Sequence, residues 1–275
     1  MVAFDNVALV FVAGLLTALA TGLGAIPFFL VEDISDRWNV GLWGLASGIM
    51  VAASVFGLIR EGLAVVEGSW IDAAVAIGPG VLAGVALVVV GHEVLEGAEV
   101  SPKKYEEADF KKLVLILGIL TVHSFPEGVA VGVSFAELGI DDPAIATVSV
   151  AGLALPVLAV FMTLAISIHN VPEGVAVSIP LRAMGVSEWR MVWWAVFSSL
   201  PQPIGAVVAY YFVTLAERFL PLGFGFAAGA MVYLVVTEFI PEALESGRDL
   251  PGGGRRELVG GILAGVLAMV PLAFA

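Results

Sequence analysis

Residues 112–135 read KLVLILGILTVHSFPEGVAVGVSF, and residues 148–180 read VSVAGLALPVLAVFMTLAISIHNVPEGVAVSIP. Both runs are apolar and long enough to cross a bilayer, which takes about 20 residues. Each nonetheless carries a histidine and a glutamate four residues apart, His123 with Glu127 and His169 with Glu173, hence on one face of a helix. An ionisable group at mid-bilayer is costly, about 2.5–3.5 kcal/mol for Asp on insertion scales. Two imidazoles and two carboxylates kept there in near-copies of one HxxPEG frame point to a metal site inside a membrane.

The rest of the chain has the composition such a site needs. Of 275 residues 60% are hydrophobic and only 13% charged, about half the charged share of a soluble domain. Cysteine is absent, which excludes disulfides and thiolate ligands. The net charge of −13 argues against nucleic acid, which binds basic patches. No Lys or Arg precedes Arg37, so the first apolar run lacks the basic region of a secretory signal and should be kept as a membrane helix.

Length and apolarity predict an all-α integral membrane protein with eight helices. They cover Val7–Val31, Val40–Ile59, Ile71–Gly91, Lys112–Phe135, Val148–Pro180, Arg190–Leu215, Phe219–Ile240 and Leu258–Phe274. The fifth run is longer than needed, and Pro156 marks either a kink or its true start. The whole chain, 1–275, reads as one transmembrane domain with a charged loop at about 92–111 between helices three and four. With the N-terminus outside, the inside loops hold Arg37, Lys103, Lys104, Lys111, Lys112, Arg182, Arg190, Arg248, Arg255 and Arg256. Only Arg60 and Arg218 remain outside, and this bias predicts two extracytoplasmic termini. Gly44/Gly48, Gly80/Gly84, Gly225/Gly229 and Gly261/Gly265 have the small-residue spacing that lets membrane helices approach closely, although a glycine-rich chain produces some such pairs by chance.

The two motifs lie on consecutive, oppositely directed helices at similar depth, so they can face each other and pool their ligands. Midplane sites on interrupted, inverted helices recur in transporters. Pro126 and Pro172 cannot donate to the carbonyls of Val122 and Ile168, which should bend each helix and free a carbonyl. Gly128 and Gly174 leave room beside each carboxylate. Imidazole with carboxylate suits Zn²⁺, Fe²⁺, Mn²⁺ or Co²⁺ at about 2.0–2.2 Å. Ca²⁺ and Mg²⁺ prefer oxygen alone. A single histidine in such a run would more simply be a satisfied core residue; the repeat favours metal.

HSFPEG followed by HNVPEG, on the fourth and fifth of eight helices, resembles the ZIP (Zrt/Irt-like) family of divalent metal transporters in its prokaryotic branch. Thr21-Gly22-Leu23-Gly24-Ala25-Ile26-Pro27, Ser47-Gly48-Ile49-Met50 and Thr237-Glu238-Phe239-Ile240-Pro241-Glu242-Ala243 agree with it. The resemblance implies that His123, Glu127, His169 and Glu173 are primary metal ligands, with Asn170 in an adjacent second site bridged by the two glutamates. It also implies a 3+2+3 inverted-repeat bundle, uptake into the cytoplasm across a prokaryotic plasma membrane, and a homodimer. Two positions depart from the pattern. Ser124 stands where relatives often carry Asn, and Gln202, between Pro201 and Pro203, where many carry Glu. Both changes weaken the second site. Thr237 replaces a frequent His, leaving Glu238 as the acidic group on that part of the route.

Other polar positions have plainer readings beside the functional one. Met50 could offer a thioether, though methionine is mostly a core filler. Glu238 and Glu242 fit an exit path or a solvated interfacial pair. His92 could receive released metal or be a wet loop histidine. Trp189, Trp193 and Trp194 read as an interfacial aromatic belt. Asp33, Asp36, Asp141 and Asp142 are most simply loop charges.

The sequence therefore predicts a carrier of zinc or a similar divalent ion, with the metal as cargo, no cofactor and no catalytic residues. A passive metal channel is the nearest alternative. An intramembrane zinc hydrolase is further off, since HExxH is absent and both carboxylates are needed as ligands.

Overall fold

The computed structural model describes residues 4–31, 33–66, 68–96, 118, 123–138, 145–215 and 219–273. Helices dominate. α1 is Phe4–Leu23, followed by a 3₁₀ turn at Ile26–Phe29; α2 is Asp36–Ala64; α3 is Trp70–Glu96. α4 covers 123–134, and α5 is Val157–Ala183. α6 is Glu188–Leu215, α7 is Leu220–Ser246 and α8 is Arg255–Ala273. Among the described residues six helices are long and apolar enough to cross a membrane: α1 with its 3₁₀ turn, α2, α3, α5, α6 and α7. The first part of the expected fourth helix (Lys112–Val122, save Gly118), most of the 92–111 loop, Asp141, Asp142, Arg218 and Phe274 lie outside the described residues.

Sequence explains where α5 begins and ends. Pro156 is its N-cap residue, in keeping with proline's fixed φ and missing N–H. Gly185, at φ +71°, closes the other end. Its N–H donates to the Arg182 carbonyl and that of Val186 to the Leu181 carbonyl, as a left-handed terminator allows. The expected helical start at Val148 is not found. Residues Thr147–Val150 (β1) and Leu153–Pro156 (β2) instead form an antiparallel hairpin with Val150 opposite Leu153. Ala151 and Gly152 turn between them with positive φ at both positions, the geometry a two-residue hairpin requires. β-branched Thr147, Val148 and Val150 favour that outcome.

Two further departures are local. α6 breaks after Ser198 and resumes at Pro201, because Pro201 cannot donate to a preceding carbonyl and disfavours helical φ/ψ in Leu200. The Gln202 N–H donates to the Ser199 carbonyl, so Gln202 lies in the first turn of the new segment. π turns interrupt α2 at Ala53–Ile59 and α7 at Val235–Phe239. In α7 the Ile240 N–H reaches the Val235 carbonyl. Pro241 has no N–H for Thr237, and the Thr237 hydroxyl donates to the Tyr233 carbonyl at 2.8 Å, so the ordinary ladder is already disturbed there.

Glycine sets the helix pairing. Side chains at Gly44 and Gly48 of α2 would strike the Leu258 and Ile262 carbonyls of α8, and at Gly261 and Gly265 the Gly41 and Leu45 carbonyls. Gly80 and Gly84 of α3 meet α7 in the same way, and Gly225 and Gly229 return the contact. All four spaced pairs are thus contact surfaces. Gly128 and Gly174 do something other than make room for a carboxylate. Gly128 lies against the Gln202 backbone of α6, and Gly174 against the Thr21 carbonyl of α1. Each PEG motif is therefore seated on a neighbouring helix immediately after its glutamate.

Candidate metal centre

α5 carries His169 twelve residues past Val157, about 18 Å along a helix about 40 Å long. Helical spacing puts Glu173 one turn on, with Oε2 at 3.8 Å from His169 Nε2. Glu127 comes in from α4, its Oε1 at 3.2 Å from the same nitrogen. All three side chains are fully buried. Four ligands at the about 2.0–2.1 Å bonds of tetrahedral zinc stand about 3.3 Å from one another, and the two spacings here bracket that value. One imidazole nitrogen faces two carboxylates, so the three groups form a cup open to one cation.

Neutral amides brace the cup. Gln202 Nε2 donates to Glu127 Oε2 at 2.6 Å, leaving Oε1 toward His169. Asn170 Nδ2 donates to Gln202 Oε1 at 3.1 Å and to the Thr17 carbonyl of α1 at 2.7 Å. The break in α6 supplies Gln202, and the α1–α5 contact at Gly174 supplies Thr17. Both Glu173 oxygens, Asn170 Oδ1 and His123 Nδ1 are buried without a hydrogen-bond partner. Buried acceptors in native proteins are nearly always satisfied, and a cation is one group that these carboxylate oxygens could accept. Glu173 and Asn170 can each contribute to holding it.

His123 lies elsewhere. Expected to share one ion with the other three, its ring instead turns to a second group with His92 of α3 and Glu238 of α7. His92 Nε2 is 3.3 Å from His123 Nε2, and His92 Nδ1 is 3.1 Å from Glu238 Oε1. His92 thus meets its two neighbours through different ring nitrogens, which strings the group as a chain through His92, although one donor atom from each of the three lies within 4.8 Å of the others. His123 stands one turn before Glu127 on α4, and that offset carries its ring toward the α3 end. His92 and Glu238 are partly exposed, whereas His123 is buried.

The remaining expected residues fall as follows. Ser124 is fully buried, and Met50 is buried within the main apolar core. Glu242 is exposed and belongs to neither ligand group. Trp189 and Trp193 are exposed, Trp189 meeting Phe29 edge to face at 5.0 Å. Two participants were not anticipated. The Thr17 carbonyl leaves no mark in a sequence. Phe239, directly after Glu238 in an otherwise mostly apolar run, has its ring against His169 and His123.

The family model described as ZIP Zinc transporter matches residues 91–273. A protein of Arabidopsis thaliana named as a candidate zinc transporter is 40% identical over 231 residues, 83% of this chain and 33% of its own length. Zinc transporter GufA of Myxococcus xanthus is 33% identical over 94% of this chain and 96% of its own. Zinc transporter ZIPB of Bordetella bronchiseptica is 34% identical over 84% of this chain and 71% of its own. The chain therefore spans a third of the plant relative and nearly all of the Myxococcus one. With a family match over most of its length and a full-length relative above 30% identity, the chain belongs to the ZIP zinc transporter family.

Proposed function

We propose that this protein carries zinc, or a divalent transition ion of similar chemistry, across a prokaryotic plasma membrane into the cytoplasm. The observation that carries the reading is the buried cup of Glu127, His169 and Glu173, the last two on the membrane-long α5. Water and Gln202 complete the coordination or its frame, with Asn170 beside it. His92, His123 and Glu238 form a second station nearer the end of α3, where the ion is passed on. The relatives named as zinc transporters support zinc as cargo; this is movement of an ion, not catalysis.

The accompanying architecture is an eight-helix 3+2+3 inverted-repeat bundle with both termini outside, working as a homodimer. The bias of basic residues supports the orientation, and the opposed HxxPEG copies support the inversion. Uptake into proteoliposomes tests the function. The parent should take up zinc saturably, and Glu127→Ala and His169→Ala should not. Equal uptake by all three would remove the cup from the mechanism.

A further inference from the structure

Phe239 is 1% exposed and is the residue next to Glu238 on the π turn of α7. Its ring stacks on the His169 imidazole at 5.4 Å with an interplanar angle of 19°. The same ring meets the His123 imidazole at 6.3 Å and 58°. One phenyl group therefore borders both ligand groups, flat against a donor of the cup and tilted against a donor of the chain. Trp43 of α2 backs it at 4.8 Å, so the ring is held from behind.

We propose that Phe239 is the partition between the two ion stations, and that the π turn carrying it is the part that moves. The proposal rests on the transport reading above. An apolar ring offers no lone pair to a cation, so an ion leaving the cup has no ligand to step to while the ring stays. A bare metal ion can be drawn to an aromatic face, but that does not replace a lost imidazole or carboxylate. The π turn supplies the means of opening. Moving the extra residue of a π turn along a helix turns each residue it passes by about 100°. A shift past Glu238 and Phe239 would turn both, so withdrawal of the ring also releases the Glu238 carboxylate from His92 Nδ1. Pro241 and the Thr237 hydroxyl have already weakened the ladder there, which keeps the shift accessible.

The test is equilibrium exchange of radioactive zinc in proteoliposomes, beside direct zinc binding to the purified protein. Phe239→Ala should speed exchange about fivefold and Phe239→Trp should slow it about as much, the scale of one lost or gained aromatic contact in a barrier. Phe239→Leu should stay near the parent, and in the Ala and Trp variants exchange should change more than zinc affinity does. Elution as a single species and the melting temperature report folding; if the Ala variant unfolds, the Trp and Leu variants decide the matter. Exchange unchanged in Ala and Trp alike, or abolished in Ala while folding and binding persist, overturns the partition. If the parent takes up no zinc, the transport reading itself has failed, and if Glu127→Ala retains uptake the cup has; if Glu127→Ala loses uptake while the Phe239 variants match the parent, only the partition has.

Discussion

The cup and the chain are built from the same residue types yet held in opposite ways. Glu127, His169 and Glu173 come from two helices, are fully buried, and converge on one nitrogen. Amides from α5 and α6 fix them, and a backbone carbonyl of α1 anchors those amides. His92, His123 and Glu238 come from three helices, include two partly exposed side chains, and run in series through His92. On the proposed reading the buried, braced cup holds the ion tightly because little ordering is left to do, and the chain holds it loosely because water reaches His92 and Glu238. Tight reception and easy release are what a carrier needs at the two ends of one step.

Substitutions can break this contrast. The largest effect is expected in the cup, where Glu127→Ala or Glu173→Ala should lower zinc affinity by about 100-fold or more, beyond the usual loss for residues behind the ligands. Isothermal titration of the purified protein reads it. Acid should come next. Imidazole and carboxylate bind metal only when deprotonated, so taking the pH from about 7.5 to about 5.5 should weaken binding about tenfold or more. The sign is fixed, because protons compete and never assist. Titrations at the two pH values check it, and no change would count against these donors.

Gln202→Ala should cost about tenfold in affinity, since Glu127 Oε2 would lose its donor and outer-shell partners have that scale. Gln202→Glu sharpens the comparison from the other side, because a carboxylate there should raise the zinc stoichiometry above the parent's. The smallest effect belongs to the chain. His92→Ala should slow uptake about threefold while leaving affinity at the cup intact, read as a change in maximal rate without a change in half-saturation.

Much of the cup was legible in the sequence, because helical spacing dictates that His169 and Glu173 share a face and the repeat supplies Glu127 from an antiparallel neighbour. The glycine pairs were legible for a similar reason, since a residue without a side chain inside an apolar run has few uses besides close approach. Pro156 offered the start of α5 as one of two readings, the other being a kink. What escaped reading depends on where other helices end up. The partnership of His123 with His92 joins residues on different helices, and nothing in the spacing of α4 alone decides which way an imidazole turns. The hairpin at Thr147–Pro156 was hidden because a run of β-branched and small apolar residues fits a strand or a membrane helix equally well. The π turn of α7 could have been suspected from Pro241 after Thr237, but its consequence, Phe239 lying against both imidazoles, needed coordinates.

Anomalous diffraction at the zinc edge from zinc-loaded crystals tests the central claim most directly. A peak is expected within about 2.1 Å of donor atoms of Glu127, His169 and Glu173, with any second peak beside His92 or Glu238 weaker. A strong peak elsewhere, with those three side chains bare at saturating zinc, would contradict it.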